Sequence, residues 1–132
     1  MKLSAEDRLD ILELITSADS AATLRDPEKY VSFFTEDASL EGGKGSFQGK
    51  DVLLRSVMPI WQSEGKESTH LTLNAVVSAV EGRAEEASVT STLVILRNEL
   101  SISIHSTSTI VQVVVKRGGT WLIKKRTVLL SQ

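Results

Sequence analysis

What this sequence lacks narrows its chemistry before any motif is read. It has no cysteine, which excludes disulfides, a thiolate nucleophile and thiolate metal sites. Its two histidines, His70 and His105, stand 35 positions apart with no H-x-H or H-x-x-x-H pair, so no metal site is expected. The formal net charge is −2, with basic residues scattered along the chain, and no nucleic acid or anionic membrane is expected as a partner. The one basic cluster, Lys124, Lys125 and Arg126, falls in a strand-like segment and reads as a solvated edge or strand end. No apolar run approaches the roughly 20 residues that cross a bilayer. Glu6 and Asp7 interrupt the start, where a secretory leader would carry its apolar core, so a cytoplasmic protein is expected. "GGKG" at Gly42 to Gly45 lacks the strand and helix context of a phosphate loop, and no serine sits in a G-x-S-x-G elbow. No cofactor is expected.

What is present divides into a helical first half and a strand-rich second half. Ser4 can cap a helix with Glu6 and Asp7 in its first turn. Leu9, Leu12, Ile15, Ala18 and Ala22 continue it at helical spacing, predicting a helix from about Ala5 to Leu24. In "RDPEKYVSFF", Asp26 caps a second helix, Pro27 takes its first position, and Tyr30, Phe33 and Phe34 make its apolar stripe. "TEDASLEGGKGSFQG" reads as a short strand, a glycine turn and an extended return. "KDVLLRSVMPIWQS" is a third helix that Pro59 kinks or ends. From Ser68 onward, four segments rich in Thr, Val, Ile and Ser alternate with period two and are separated by turn signals. They predict a long antiparallel meander, and with the helices a single α+β domain over residues 1–132. The segment Leu100 to Lys116 is long for a flat sheet, and "STST" at Ser106 to Thr109 is a plausible bend. A curved sheet over helices leaves a hollow, where small ligands usually bind.

Four stretches resemble one family. "LRDPEKYVSFFTEDASLEG", "FQGKDVLLRSV", "STHLTLNAVVSAVEGRAEEAS" and "VVVKRGGTWLIKKRTV" follow the motifs of the nuclear transport factor 2-like superfamily, in its SnoaL-like subgroup. The resemblance covers nearly the whole chain. It implies a cone-shaped curved antiparallel sheet wrapped over three N-terminal helices, the cystatin-like α+β barrel. The superfamily includes dehydratases, isomerases, polyketide cyclases, epoxide hydrolases and non-enzymes, so fold alone does not name a chemistry.

Carried over residue by residue, the resemblance places His70 where scytalone dehydratase has a pocket histidine thought to act as acid and base. That enzyme's aspartate in the first helix falls on Thr23, with Asp19 one turn earlier on the same face. Its pocket asparagine falls near Ile110. The tyrosine and two aspartates of ketosteroid isomerase fall on Ala18, about Gly42 and near Gln112. SnoaL-like chains often carry Asp at the Gln112 position, so here a polar group is kept without its charge.

Within "ESTHLTLN", alternation puts His70, Thr72 and Asn74 on one side. An imidazole there can be an acid/base group or a structurally bonded strand residue. His105 alternates with Ser101, Ser103, Thr107 and Thr109, a polar face read as solvent-exposed or a dimer surface. The expected site has His70 and Asp19 as catalytic residues. Tyr30, Phe34, Trp61, Asn74, Ile110 and Gln112 line the ligand hollow. Three functions remain open. One is a cofactor-free lyase or isomerase on a small apolar carbonyl or hydroxy compound. Another is a non-catalytic binder of a small hydrophobic ligand. The third is an interaction module. A homodimer through the open sheet face, with Ser88, Thr90, Thr92, Val111, Val113 and Val115, is compatible with each.

Overall fold

The computed structural model of the protein describes residues 3–65 and 67–130. Helix α1 runs Ala5–Thr23, α2 Pro27–Ser32 and α3 Lys50–Ser63. Strands β1 (Phe34–Gly42) and β2 (Gly45–Gln48) form a hairpin before α3. Strands β3 (Ser68–Val80), β4 (Arg83–Asn98), β5 (Ile102–Arg117) and β6 (Thr120–Leu130) form the meander after it. The fold is α+β, with one curved six-stranded sheet in the order β2-β1-β6-β5-β4-β3. The sheet is not closed, and it is not wholly antiparallel, because β1 pairs with β6 in parallel. No helix among the described residues is long and apolar enough to cross a membrane.

The helix ends follow their local chemistry. Ser4 Oγ accepts from the Asp7 amide at 3.0 Å, and an Asp26 carboxylate oxygen accepts from the Lys29 amide at 3.1 Å. These two bonds satisfy amides left over at the helix starts. The third helix continues through Pro59 to Ser63. Leu53, Val57 and Trp61 form its buried stripe, each side chain adding roughly 1.5–3 kcal/mol by leaving water.

The β3 edge of the sheet is covered by α1. Arg8 Nη1 donates to the Val77 carbonyl at 2.9 Å, and the His70 amide donates to Thr23 Oγ1 at 2.8 Å. An unpaired strand edge invites pairing with other chains, and here helix side chains occupy it. The opposite ends of the inner sheet face differ. Ala87, Val89, Val114, Trp121 and Ile123 pack with the helices into the main core. Leu93, Ile95, Ile110 and Val128, further along the same strands, form a separate apolar cluster. The β4–β5 hairpin also projects past β6, whose last partner is Ser108 paired with Leu130.

Three strands carry one extra residue. In β3 the pairing steps from Leu73 to Val76 while β4 steps only from Thr92 to Thr90, and Asn74 holds φ at +54° inside the step. In β5, Ile95 pairs with Ser106 and Leu96 with Ile104, which leaves His105 as the extra residue. In β6, Val113 pairs with Lys125 and Val114 with Ile123, which leaves Lys124. Each bulge reverses which residues face inward. The bend expected at Ser106 to Thr109 falls one residue earlier, at His105. On the outer face, Thr90 is exposed and Ser88, Thr92, Val111 and Val113 are half-buried. Val115, grouped with them by alternation, is 8% exposed.

Asn74 carries the left-handed backbone of the β3 bulge, a conformation that costs a residue with a Cβ about 1–2 kcal/mol and a branched one most. Asn74→Gly is therefore expected to leave stability within about 1 kcal/mol, and Asn74→Val to lower it by about 1–2 kcal/mol. Urea denaturation midpoints measure both. Equal tolerance of glycine and valine would show that this residue does not hold the bulge.

Candidate functional site

The hollow half of the inner face encloses a cavity of about 370 Å³. Its walls are mostly apolar: Leu40, Phe47, Val57, Ile60, Leu93 and Val128. The polar groups that reach it are few, and strand bulges or helix ends put them there. Its mouth is bounded by the β1–β2 turn. A Cβ on Gly42 would stand 3.0 Å from Val128 Cβ, and one on Gly43 3.0 Å from Leu130 Cδ1. A side chain at Gly42 would crowd Val128, whereas at Gly43 the exposed Leu130 side chain can move aside.

His70 faces inward and is 8% exposed. Its Nε2 lies 2.7 Å from Glu64 Oε1, and both side chains line the cavity. With Glu64 as the carboxylate, it accepts from Nε2–H, and Nδ1 is the nitrogen left for a ligand. Glu64 is the residue just past α3. Sequence reasoning missed it, because a carboxylate at a helix end reads as solvated. A signal existed: Glu64 follows Leu53, Val57 and Trp61 at spacings of four, four and three, on the buried stripe. Arg25 fixes the neighbouring loop, its Nη2 donating to the Gly65 carbonyl at 3.0 Å and to Ser68 Oγ at 2.6 Å.

The second polar pair is Asp19 with Arg126. Arg126 Nη2 stands 3.0 Å from Asp19 Oδ1, with side-chain exposures of 5% and 3%. The contact is electrostatic without hydrogen-bond alignment, since Asp19 Oδ1 has no hydrogen-bond partner. The other carboxylate oxygen accepts from the Thr72 hydroxyl. Arg126 Nη1 donates to Gln112 Oε1 at 3.4 Å. The expected solvated reading of Arg126 is overturned. The Lys124 bulge turns Arg126 inward, where Trp121 and Ile123 alone would predict it to face out. Burial works against the guanidinium charge, but the Asp19 and Glu64 carboxylates hold its pKa above the ordinary value.

Tyr30 completes the polar floor. It stacks edge-on to Trp61 at 5.1 Å between ring centroids and tilts against Phe34 at 4.9 Å. Burial pushes its hydroxyl pKa up; Arg126 opposes this, and Asp19 and Glu64 add to it. The group thus remains a neutral phenol and a hydrogen-bond donor.

The structure separates the expected site residues into three groups. His70, Tyr30 and Trp61 line the cavity. Asp19, Phe34, Ile110 and Gln112 are buried behind that lining, at 2%, 1%, 1% and 1% exposure. Asn74 is exposed. It is corrected from a pocket residue to a bulge residue, because its own left-handed backbone breaks the alternation it was read from. Asp19 also differs from its expected role: it pairs with Arg126, while Glu64 holds the histidine. His105, expected on a solvent or dimer face, lines the cavity because it is itself the extra residue of β5. Among the described residues no cluster of three or more potential metal ligands forms.

The sequence profile of the SnoaL-like domain matches residues 3–127, and the chain belongs to that family. The search of curated proteins finds no match. Solved structures share the fold. A Nostoc punctiforme protein of unknown function with a cystatin-like fold is 25% identical, with a TM-score of 0.89, covering 99% of this chain and 96% of its own. A nuclear transport factor 2-like protein from Novosphingobium aromaticivorans is 22% identical, with a TM-score of 0.81 and coverages of 95% and 82%. A candidate scytalone dehydratase from the same organism is 18% identical, with a TM-score of 0.80 and coverages of 96% and 85%.

Removing one member of a buried ion pair strands the other charge, at about 3–5 kcal/mol. Asp19→Ala is expected to destabilise the protein by that amount. Asp19→Leu combined with Arg126→Met, which leaves no charge behind, is expected to cost less than the single change. Chemical denaturation of both variants checks this. A single-variant loss below about 1 kcal/mol would mean that the pair is solvated rather than sealed.

Proposed function

We propose that this SnoaL-like domain is a cofactor-independent lyase or isomerase that moves a proton on a small, largely apolar carbonyl or hydroxy compound. The observation that carries the reading is the His70–Glu64 contact of 2.7 Å, buried in the wall of an otherwise apolar cavity. A histidine oriented by a carboxylate through one nitrogen presents the other as a base, and the carboxylate stabilises the imidazolium that forms.

The chemistry divides among few residues. A substrate carbonyl enters with its apolar body against Leu93, Val57 and Trp61. His70 Nδ1 takes the proton from the carbon next to the carbonyl. The electron pair moves onto the carbonyl oxygen, and the resulting enolate is met by the Tyr30 hydroxyl and the Arg126 guanidinium, both of which line the cavity. Fixed donors in a dry site stabilise such a charge far more than water does. Asp19 acts through Arg126: it holds the guanidinium and balances its charge. The likeness to a candidate scytalone dehydratase supports the fold of this reading and not its substrate.

The test is exchange of the carbon-bound proton in heavy water with a panel of small aryl and alkyl ketones, followed by NMR. Wild-type protein is expected to exchange it, and His70→Gln to slow exchange by about 10²- to 10⁴-fold with the circular dichroism spectrum unchanged. Unchanged exchange in His70→Gln would remove that residue from the mechanism. Saturable ketone binding without any exchange would leave a non-catalytic binding protein.

A further inference from the structure

The other histidine of the chain shares this cavity. Across the sheet, His70 on β3 pairs with Ile95 on β4, and Ile95 pairs with Ser106 on β5, next to the bulged His105. The two imidazoles therefore rise from strands two apart, about 10 Å between backbones at the usual strand spacing, and both line the hollow. A regular β5 would have pointed His105 outward with Thr107 and Thr109. The extra residue re-aims it, as bulges beside active sites commonly do. His105 is half-buried and more open to water than His70, which is 8% exposed.

We infer that His105 is a second catalytic residue, the general acid that protonates the leaving oxygen of a β-hydroxy carbonyl substrate, which makes the reaction an elimination of water. The inference rests on the acid/base reading above. His70 Nδ1 takes the proton from the carbon beside the carbonyl, and that C–H pair passes through the enolate to become the new C=C bond. The C–O bond at the β carbon breaks, its electrons leave with oxygen, and the His105 imidazolium gives that oxygen a proton. Water and the conjugated carbonyl compound are the products, and nothing is oxidised or reduced. His70 then returns its proton to solvent and His105 regains one from it. The spacing of the two strands fits this division of labour, since an acid and a base rising from one sheet face two strands apart can reach two adjacent carbons of one substrate lying across β4. The titratable groups sharing the cavity with His105 are Glu41 at the end of β1, Lys44 of the β1–β2 turn, Glu64, His70, Tyr30 and Arg126.

The test compares wild-type protein with His105→Gln on two probes, the aldol adduct of benzaldehyde and acetone and its benzylic fluoride analogue. A general acid contributes about 10²- to 10⁴-fold, so His105→Gln is expected to slow water loss by that factor. Fluoride loss and exchange of the carbon-bound proton should change little, because neither needs this acid. Unimpaired water loss in His105→Gln, with exchange intact, overturns the role of His105 and leaves the acid/base reading standing. Absence of both exchange and elimination in wild-type protein overturns both. A readout without turnover uses the enone product, benzylideneacetone, as an NMR probe. Its binding should shift the ring signals of both histidines, and a shift at His70 alone overturns the inference.

Discussion

A β-strand offers alternate residues to opposite faces, and one extra residue exchanges the faces for everything beyond it. The functional half of this molecule depends on that constraint. The bulge at Lys124 delivers Arg126 and Val128 to the cavity after Trp121 and Ile123 have filled the core. The bulge at His105 turns that side chain into the same space. The bulge at Asn74 lets His70 and Thr72 face α1 and the cavity while Val77 rejoins the core further along. Without the three steps, the sheet would present a different set of side chains to its concave face.

The bulges also account for how the polar groups are supported. Two charged or polar pairs sit where few waters could help them, and each is held by a different helix. Glu64 comes from the end of α3 and reaches His70. Asp19 comes from α1 and reaches Arg126 and Thr72. Because α1 simultaneously covers the free edge of β3 through Arg8 and Thr23, the element that protects the sheet from mispairing is the one that positions the guanidinium. Stability and site geometry are thus coupled through a single helix.

The apolar remainder of the cavity sets what such a site can take. A few donors and one oriented imidazole among Leu, Val, Ile and Trp side chains strengthen every electrostatic contact made there. A ligand with a compact apolar body and one or two oxygens satisfies those donors. A strongly polar ligand would leave its own groups unpaired against the aliphatic wall.

The order of helices and strands was legible in the sequence because each signal is local. Ser4 and Asp26 cap the helices they precede, Pro27 starts one, and period-two runs mark the four long strands. The parallel pairing of β1 with β6 was not legible, since nothing in either strand names a partner nearly a hundred residues away. Alternation put His70 and Thr72 on one side of β3, but which side faces inward was decided only by the packing of α1 and α3 against it. Arg126 left a trace, in that apolar residues occupy odd positions at Trp121 and Ile123 and an even one at Val128. His105 left none, because Ile102 and Ile104 share parity with Ile110 yet are exposed. The sequence by itself determined the order of the elements, the caps of the first two helices and the family, while Phe34, read on the second helix, opens β1. Only the tertiary structure decided which side chains meet in the cavity, because that choice turns on single-residue steps between strands, and such steps are set by the partner strand rather than by the strand's own pattern.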